Sequence, residues 1–213
     1  MKKKKTIIAA VILLLVITVG GAIAYFTDTE EKTNTFTIGN VDISLSEPNW
    51  VETDTTPANG IPDAAENLMP GQTVLKNPII SNESTKNPAY VFAKIVVPCT
   101  TETTSQEIFT YTINTDKWTE LSSAGVACTS GGNATHVYYY GTSGTLEELA
   151  KAADEDTPTP TDKAVFDSVT VRSTLKGNEG LTGNKNIVVT GYGIQTEGLA
   201  SETPADVWGY FNN

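Results

Sequence analysis

Histidine and arginine are almost absent from this chain of 213 residues, which has one of each, His136 and Arg172. A catalytic zinc site takes about three nitrogen, oxygen or sulfur ligands at fixed spacing, and the sequence has no HExxH motif. A Ser-His-Asp triad would depend on the same histidine, and no GxSxG motif accompanies any serine. The sequence therefore predicts that the protein is not an enzyme of these classes, and we interpret His136 as an outward-facing strand residue.

Positive charge is scarce as well, with 14 Lys and Arg against 25 Asp and Glu. A nucleic-acid-binding surface needs clustered Lys or Arg to neutralise phosphates, so no nucleic-acid partner is predicted. Four of the lysines are Lys2 to Lys5; without residues 1–24, ten basic residues would face 25 acidic ones, a net charge of -15. That balance is typical of a soluble extracellular surface, and a specific cation-binding role is the alternative.

Cysteine occurs only twice, as Cys99 and Cys128. An even count in an exported chain permits one disulfide bond, and two buried free thiols are the alternative. A bond between them would constrain the unfolded chain by about 3.5 kcal/mol on the entropic account of disulfides.

The one long apolar run follows the four lysines, from Ile7 to Val19, and leads to Ala22-Ile23-Ala24. A basic start, a short apolar stretch and small residues at the cut are the parts of a secretory signal peptide. We expect signal peptidase to cleave after Ala24, with Ala22 and Ala24 forming its recognition site. A retained transmembrane helix is the competing interpretation; Gly20-Gly21 disfavours it, because two glycines cost a helix roughly 2 kcal/mol. The membrane is therefore expected to be a partner only of the precursor.

Runs of β-branched and aromatic residues, bounded by Gly, Pro and Asn, predict an all-β domain. The predicted strands are Thr35 to Leu45, Thr73 to Ile80, Ala89 to Val97, Ile108 to Asn114, His136 to Tyr140, Ala164 to Leu175 and Asn186 to Gln195.

Two short helices are predicted at the rim of the sheets. Thr145-Leu-Glu-Glu148 has the form of a capping box, with Leu149 and Ala153 at helical spacing behind it. Thr203 can cap the second helix, with Pro204 in its first turn. The acidic, proline-containing stretch Asp154 to Asp162 predicts an exposed loop.

A calcium loop is suggested by the stretch from Asp54 to Glu66, which ends in Asn-Gly-Ile-Pro-Asp and two alanines before the glutamate. Spaced side-chain oxygens at Asp54, Asn59, Asp63 and Glu66 are the kind of ligand that calcium prefers. Thr56 and Ala58 stand where such loops usually carry carboxylates, so an acidic, turn-rich connection is the alternative. No other cofactor is predicted.

Four segments occur in order along the chain: Ala24-Tyr-Phe-Thr-Asp28 with Asn34-Thr-Phe-Thr-Ile-Gly39, then Asn67-Leu-Met-Pro70-Gly71, Ala89-Tyr-Val-Phe-Ala-Lys94, and Gly191-Tyr-Gly-Ile-Gln195. Together they resemble the TasA and camelysin family of secreted bacterial matrix proteins, whose precursors carry a SipW-type signal. The resemblance implies a jelly-roll-like β-sandwich that is exported and assembled into extracellular fibres. It also implies that the mature N-terminal segment is donated as a strand to the next subunit. The metalloprotease activity described for camelysins is not carried over, because the sequence supplies no credible zinc site.

The segment 25–35 is suited to such a role, because it carries Tyr25 and Phe26 on a polar, threonine-rich tail. It is too poor in apolar residues to fold alone but can hydrogen-bond along an open sheet edge. A disordered tail is the alternative. The expected donor residues are Tyr25, Phe26, Asp28, Thr33 and Thr35.

The predicted organisation is a signal peptide at 1–24, a donor-strand arm at 25–35 and a β-sandwich at 36–213. The predicted function is a fibre subunit, secreted or on the cell surface, that polymerises with itself and has other matrix or surface proteins as further candidate partners. A monomeric surface or carbohydrate-binding sandwich is the alternative.

Overall fold

The computed structural model describes residues 41–50, 65–102, 104–176, 183–199 and 201–212, all of which belong to the compact unit Gly39–Asn213. Eleven antiparallel strands in three sheets, one 3-10 turn at Ser122–Ala124 and one short helix make up this part of the chain. The strands are β1 Ile43–Ser46, β2 Thr73–Leu75, β3 Ile79–Asn82, β4 Ala89–Pro98, β5 Phe109–Ile113, β6 Trp118–Glu120, β7 Asn133–Thr142, β8 Thr145–Leu146, β9 Thr159–Pro160, β10 Phe166–Val171 and β11 Val188–Gln195. The helix α1 is Pro204–Gly209. The expected all-β class is confirmed.

Two of the sheets, ordered β1-β3-β9 and β2-β10-β5, form one layer. Only three residues separate β2 from β3. Hydrogen bonds from Thr161 N to Ile80 O and from Val165 N to Pro78 O continue the pairing across the junction between the two sheets. The predicted strand from Thr73 to Ile80 is therefore one run of chain that changes neighbours at its middle.

The third sheet, ordered β11-β4-β7-β6, forms the second layer. Alternate residues of β4 (Ala89, Val91, Ala93, Ile95 and Val97) are fully buried in the main core, which also contains residues of the first layer. Period-two burial of this kind is what a strand produces when one face lies on a core. The core therefore lies between the two layers, as in a β-sandwich.

The outer face of the second layer is covered by α1. Thr203 Oγ1 accepts from Asp206 N at 3.3 Å while Asp206 Oδ2 accepts from Thr203 N at 3.2 Å, which is the reciprocal arrangement of a capping box. The Trp208 ring packs against the Phe92 ring at 5.5 Å and the Tyr192 ring at 5.0 Å. The predicted second helix is confirmed, but it lies on the face of the sheet and not at its rim.

The predicted helix after Thr145 is wrong. Ser143 and Gly144 have positive φ angles of 55° and 82° and form a two-residue turn that pairs Thr145 with Thr142. This is the geometry of a tight β-hairpin, and it leaves Thr145 in a strand where it cannot cap a helix. Farther on, Leu149 exchanges both backbone hydrogen bonds with Ala89. Pairing with a residue distant in the sequence therefore uses the backbone N–H and C=O groups of Leu149, which a helix would need for its own hydrogen bonds.

The predicted loop from Asp154 to Asp162 is exposed at Asp154 to Thr157, Pro160 and Asp162, but it also contains a short strand. Thr159 and Pro160 form β9 and pair with β3, and Thr161 is 4% exposed. The described residues contain no helix that is both long and apolar enough to cross a membrane.

Candidate functional site: a groove beside strand β2

Strand β2 has only one neighbour, β10, among the described residues. The chain continues from β2 into β3, and β3 pairs with β1. If β1 extended beyond Ser46, its extension would therefore run alongside β2. Instead the chain turns away after Ser46, and Trp50 N donates to Glu47 O at 2.9 Å. No described residue takes the position beside β2 in line with β1, and within the described part of the chain this edge of the first layer is therefore open.

A cavity of about 730 Å³ lies at this open edge. That volume is within the range of clefts that bind ligands. Polar residues of two segments, Glu66 with Asn67 and Asn184 to Asn186, contribute to its lining. Its apolar lining comes from both layers: Val74, Ile108, Phe109, Val169, Val171 and Ile187. We call this cavity the β2 groove.

Two exposed apolar side chains are close in sequence to residues that line the β2 groove. Met69, in the turn before β2, is 63% exposed, and Leu75 of β2 is 60% exposed. They are the two most exposed large apolar residues of the described part of the chain. Charged side chains and prolines usually protect an edge strand from pairing with other chains, and β2 (Thr73-Val-Leu75) has neither.

One wall of the groove contains a partly buried ion pair. Lys76 is 8% exposed, and its Nζ donates to both carboxylate oxygens of Glu47 at 2.6 and 2.5 Å. The same Nζ lies 4.9 Å from the centre of the Trp50 ring, a cation–π contact. Asn49 N donates to Asn77 Oδ1 at 2.6 Å, which also holds the turn 47–50 against this wall. Lys76 and Trp50 both line the β2 groove.

The other side of the sandwich, where β5 and β6 are the outermost strands, is bridged by charged side chains. His136 of β7 contacts Glu107 Oε1 through Nε2 at 2.9 Å and Glu120 Oε1 through Nδ1 at 3.0 Å. The hydrogen bond to Glu107 is the largest cause that raises the pKa of His136, to about 9, with Glu120 adding to it and burial opposing it. His136 is therefore charged at neutral pH and joins β6 of one layer to the residues before β5 of the other.

The interpretation of His136 as outward-facing is wrong. It lies on the same face of β7 as Tyr138 and Tyr140, which are part of the main core, and its side chain is 24% exposed. Both ring nitrogens are occupied by carboxylates on opposite sides of the imidazole. Since the two carboxylates do not converge on one point and the charged ring has no free lone pair, this cluster can act neither as a metal site nor as a general base in this state.

The structure joins Cys99 and Cys128 in a disulfide bond, with Cα atoms 5.8 Å apart. Glu66, the last of the candidate calcium ligands, is described and lines the β2 groove. The remaining predicted site residues lie outside the described residues: Ala22, Ala24, Tyr25, Phe26, Asp28, Thr33, Thr35, Asp54, Asn59 and Asp63.

Sequence reasoning missed the cluster of Glu47, Trp50 and Lys76. Its ion pair joins residues 29 positions apart, and no local pattern indicates such a contact. The one signal in the sequence is Trp50 itself, a large aromatic residue in a segment otherwise rich in Pro, Asn and charged residues.

Comparison with known proteins identifies the family. Residues 1–106 match the family described as camelysin metallo-endopeptidase. No curated protein and no solved structure matches the chain. Within the ranges that the structure describes, no three His, Cys, Asp or Glu side chains are grouped so that they could hold a metal ion. The match agrees with the resemblance of the sequence motifs, and the chain belongs to the camelysin family.

Proposed function

We propose that this protein is a secreted structural subunit of an extracellular fibre, in which residues 25–35 of one copy enter the β2 groove of the next. The observation that carries the proposal is that no described residue takes the position beside β2, next to a cavity of about 730 Å³ whose lining is partly apolar. Membership of the camelysin family supports an extracellular or surface location.

Strand addition suits this position physically. An incoming strand would hydrogen-bond to the free edge of β2, and its alternate side chains would enter the groove. A strand of this length contributes several hydrogen bonds at roughly 1 kcal/mol net each, and burial of one aromatic side chain, Tyr25 or Phe26, adds roughly 2 kcal/mol. These terms have to exceed the cost of ordering the arm, which a preformed groove reduces.

The two sides of the sandwich differ in a way that favours growth in one direction. The side containing β5 and β6 is bridged through His136, whereas the side containing β2 is open among the described residues. One arm and one groove per copy give a head-to-tail contact, and such a contact forms a filament when its rotation does not close a ring.

We also propose that the chain is not a peptidase, although its family is described as a metallo-endopeptidase. The single histidine supports this proposal, since both of its nitrogens are held by glutamates. A structural role needs only the groove and the arm.

Deletion of residues 25–35 tests the assembly. We expect the deletion variant to keep the circular dichroism and the disulfide bond of the mature protein but to remain monomeric in sedimentation and electron microscopy. A variant whose arm has the same composition in scrambled order is the matched control for length and charge, and we expect it to assemble poorly. A free peptide of residues 25–35 should inhibit growth of the intact protein.

Fibres of the same repeat from the deletion variant would contradict the proposal. The same holds if the mature protein stays monomeric across pH, salt and calcium concentrations. A monomeric surface or carbohydrate-binding module would then be the better account.

A further inference from the structure

We infer that Trp50 receives an aromatic side chain of the incoming arm, Tyr25 or Phe26, and that Lys76 and Glu47 position the Trp50 ring for this contact. The inference rests on the proposed function and adds the residue that selects the arm. The segment that occupies the groove is therefore identified by an aromatic side chain and not only by its capacity to form a strand.

Trp50 differs from the other two tryptophans. Trp118 is fully buried against the Tyr140 ring, and Trp208 is 9% exposed among three other rings. Trp50 is only partly buried and lines the β2 groove. Among the described residues, no other aromatic ring packs against it. An indole that lines a partly apolar cavity gains from a second ring, because aromatic pairs are stabilised beyond the contribution of their buried area.

The Lys76 ammonium contributes to the position of the Trp50 ring. Lys76 Nζ is 2.5 Å from the Glu47 carboxylate and 4.9 Å from the centroid of the Trp50 ring. A buried ammonium is stable only when it is paired, and here the carboxylate and the ring share that role. Replacing the ammonium would leave the ring without the contact that orients it. Lys76 and Glu47 are therefore positioning residues.

The composition of the arm fits this site. Tyr25 and Phe26 are its two aromatic residues, and they are adjacent in the sequence. Because neighbouring residues of a strand point to opposite faces, only one of the two can enter the groove at a time. The other would lie on the outer face of the added strand.

A double-mutant cycle tests the contact. The mature full-length chain, kept dilute enough to stay monomeric, is titrated with a dye-labelled synthetic peptide of residues 25–35, and the dissociation constant is measured by anisotropy. We expect Trp50→Ala to weaken binding about tenfold, and a peptide with serine in place of both aromatic residues to weaken it similarly. Combining the two changes should cost little more than either change alone, because they remove the same contact.

Further variants separate positioning from folding. Lys76→Met should weaken binding when Trp50 is present but have no further effect in the Trp50→Ala background, and Lys76→Arg should restore most of the affinity. Peptide binding should also shift the tryptophan emission of the wild-type chain but not that of Trp50→Phe. Val126→Ala, at an exposed apolar residue that does not line the groove, is the control and should bind normally.

Unchanged affinity in Trp50→Ala, or strictly additive effects in the cycle, would overturn this inference and leave strand addition standing. If the peptide binds neither the wild-type chain nor any variant, the inference and the proposed function both fail.

Discussion

Gly193 of β11 lies against Ile43 of β1, so closely that a Cβ atom on Gly193 would be 2.7 Å from Cγ2 of Ile43. The same atom would be 3.3 Å from Cγ1 of Val41. Glycine at this position therefore allows β1 of the first layer to approach β11 of the second. This contact supports β1, the strand that lies in line with the position beside β2.

We expect Gly193→Ala to lower the free energy of unfolding by about 1 to 3 kcal/mol, because the added methyl group overpacks the space beneath β1. Urea denaturation measures the change. Gly209→Ala is the matched control: nothing lies within 4 Å of its Cβ position, and it ends α1. The control should be neutral or slightly stabilising. A loss no larger in Gly193→Ala than in Gly209→Ala would show that the contact with Ile43 is not close.

His136 predicts a stability that depends on pH. Its pKa is about 9 in the folded chain against 6.5 for a free imidazole, so its contribution is fully present below about pH 6.5 and is lost as the pH rises through 9. We expect a loss on the order of 2 kcal/mol, less than the full shift implies, because Glu120 is nearly half exposed. Denaturation at a series of pH values should show this loss in the wild type but not in His136→Gln. Since the chain has a single histidine, NMR can follow its titration directly, and a midpoint near 6.5 would refute the prediction.

The Cys99–Cys128 bond should be present in protein exported to an oxidising compartment. The non-reduced mass is expected to be two hydrogens below that of the reduced chain, with no thiol labelled after denaturation alone. Replacing both cysteines by alanine should cost about 3.5 kcal/mol, because the bond closes a loop with a sequence separation of 29. Complete labelling without reductant would rule the bond out.

Purified mature protein should not cleave casein in a zinc-dependent manner. The chain's only histidine is charged and bound on both nitrogens, so it offers no ligand at neutral pH. Cleavage that a chelator abolishes, and that an Asp→Asn or Glu→Gln variant also lacks, would establish a peptidase instead.

Local sequence patterns predicted the long strands and the second helix correctly. The alternating apolar residues of Ala89 to Val97 and the Thr203-Pro204 start each indicate their structure within a few residues. The prediction of a helix after Thr145 was wrong because two local signals competed. The Ser143-Gly144 turn favoured a hairpin and the capping box favoured a helix; pairing of Leu149 with Ala89, about 60 positions away, decided between them.

The β2 groove could not be predicted from sequence at all. Thr73 to Ile80 has the pattern of one strand, and nothing in it indicates that its two halves have different neighbours. Likewise β9 has only two residues, too few for any periodic pattern. The wall made by Lys76, Glu47 and Trp50 depends on where a turn places three side chains, which only the folded chain defines.

The change of neighbours between β2 and β3 has a mechanical consequence. In the proposed fibre, tension on an arm bonded to β2 would act along the strand axis, so that its hydrogen bonds are sheared together and not opened one after another. Lys76, Asn77 and Pro78 would then pass the force directly to β3, whose pairing with β1 the chain supplies itself. A single continuous run of backbone would thus bear force both within and between subunits, and the strength of the fibre would depend on the length of the arm.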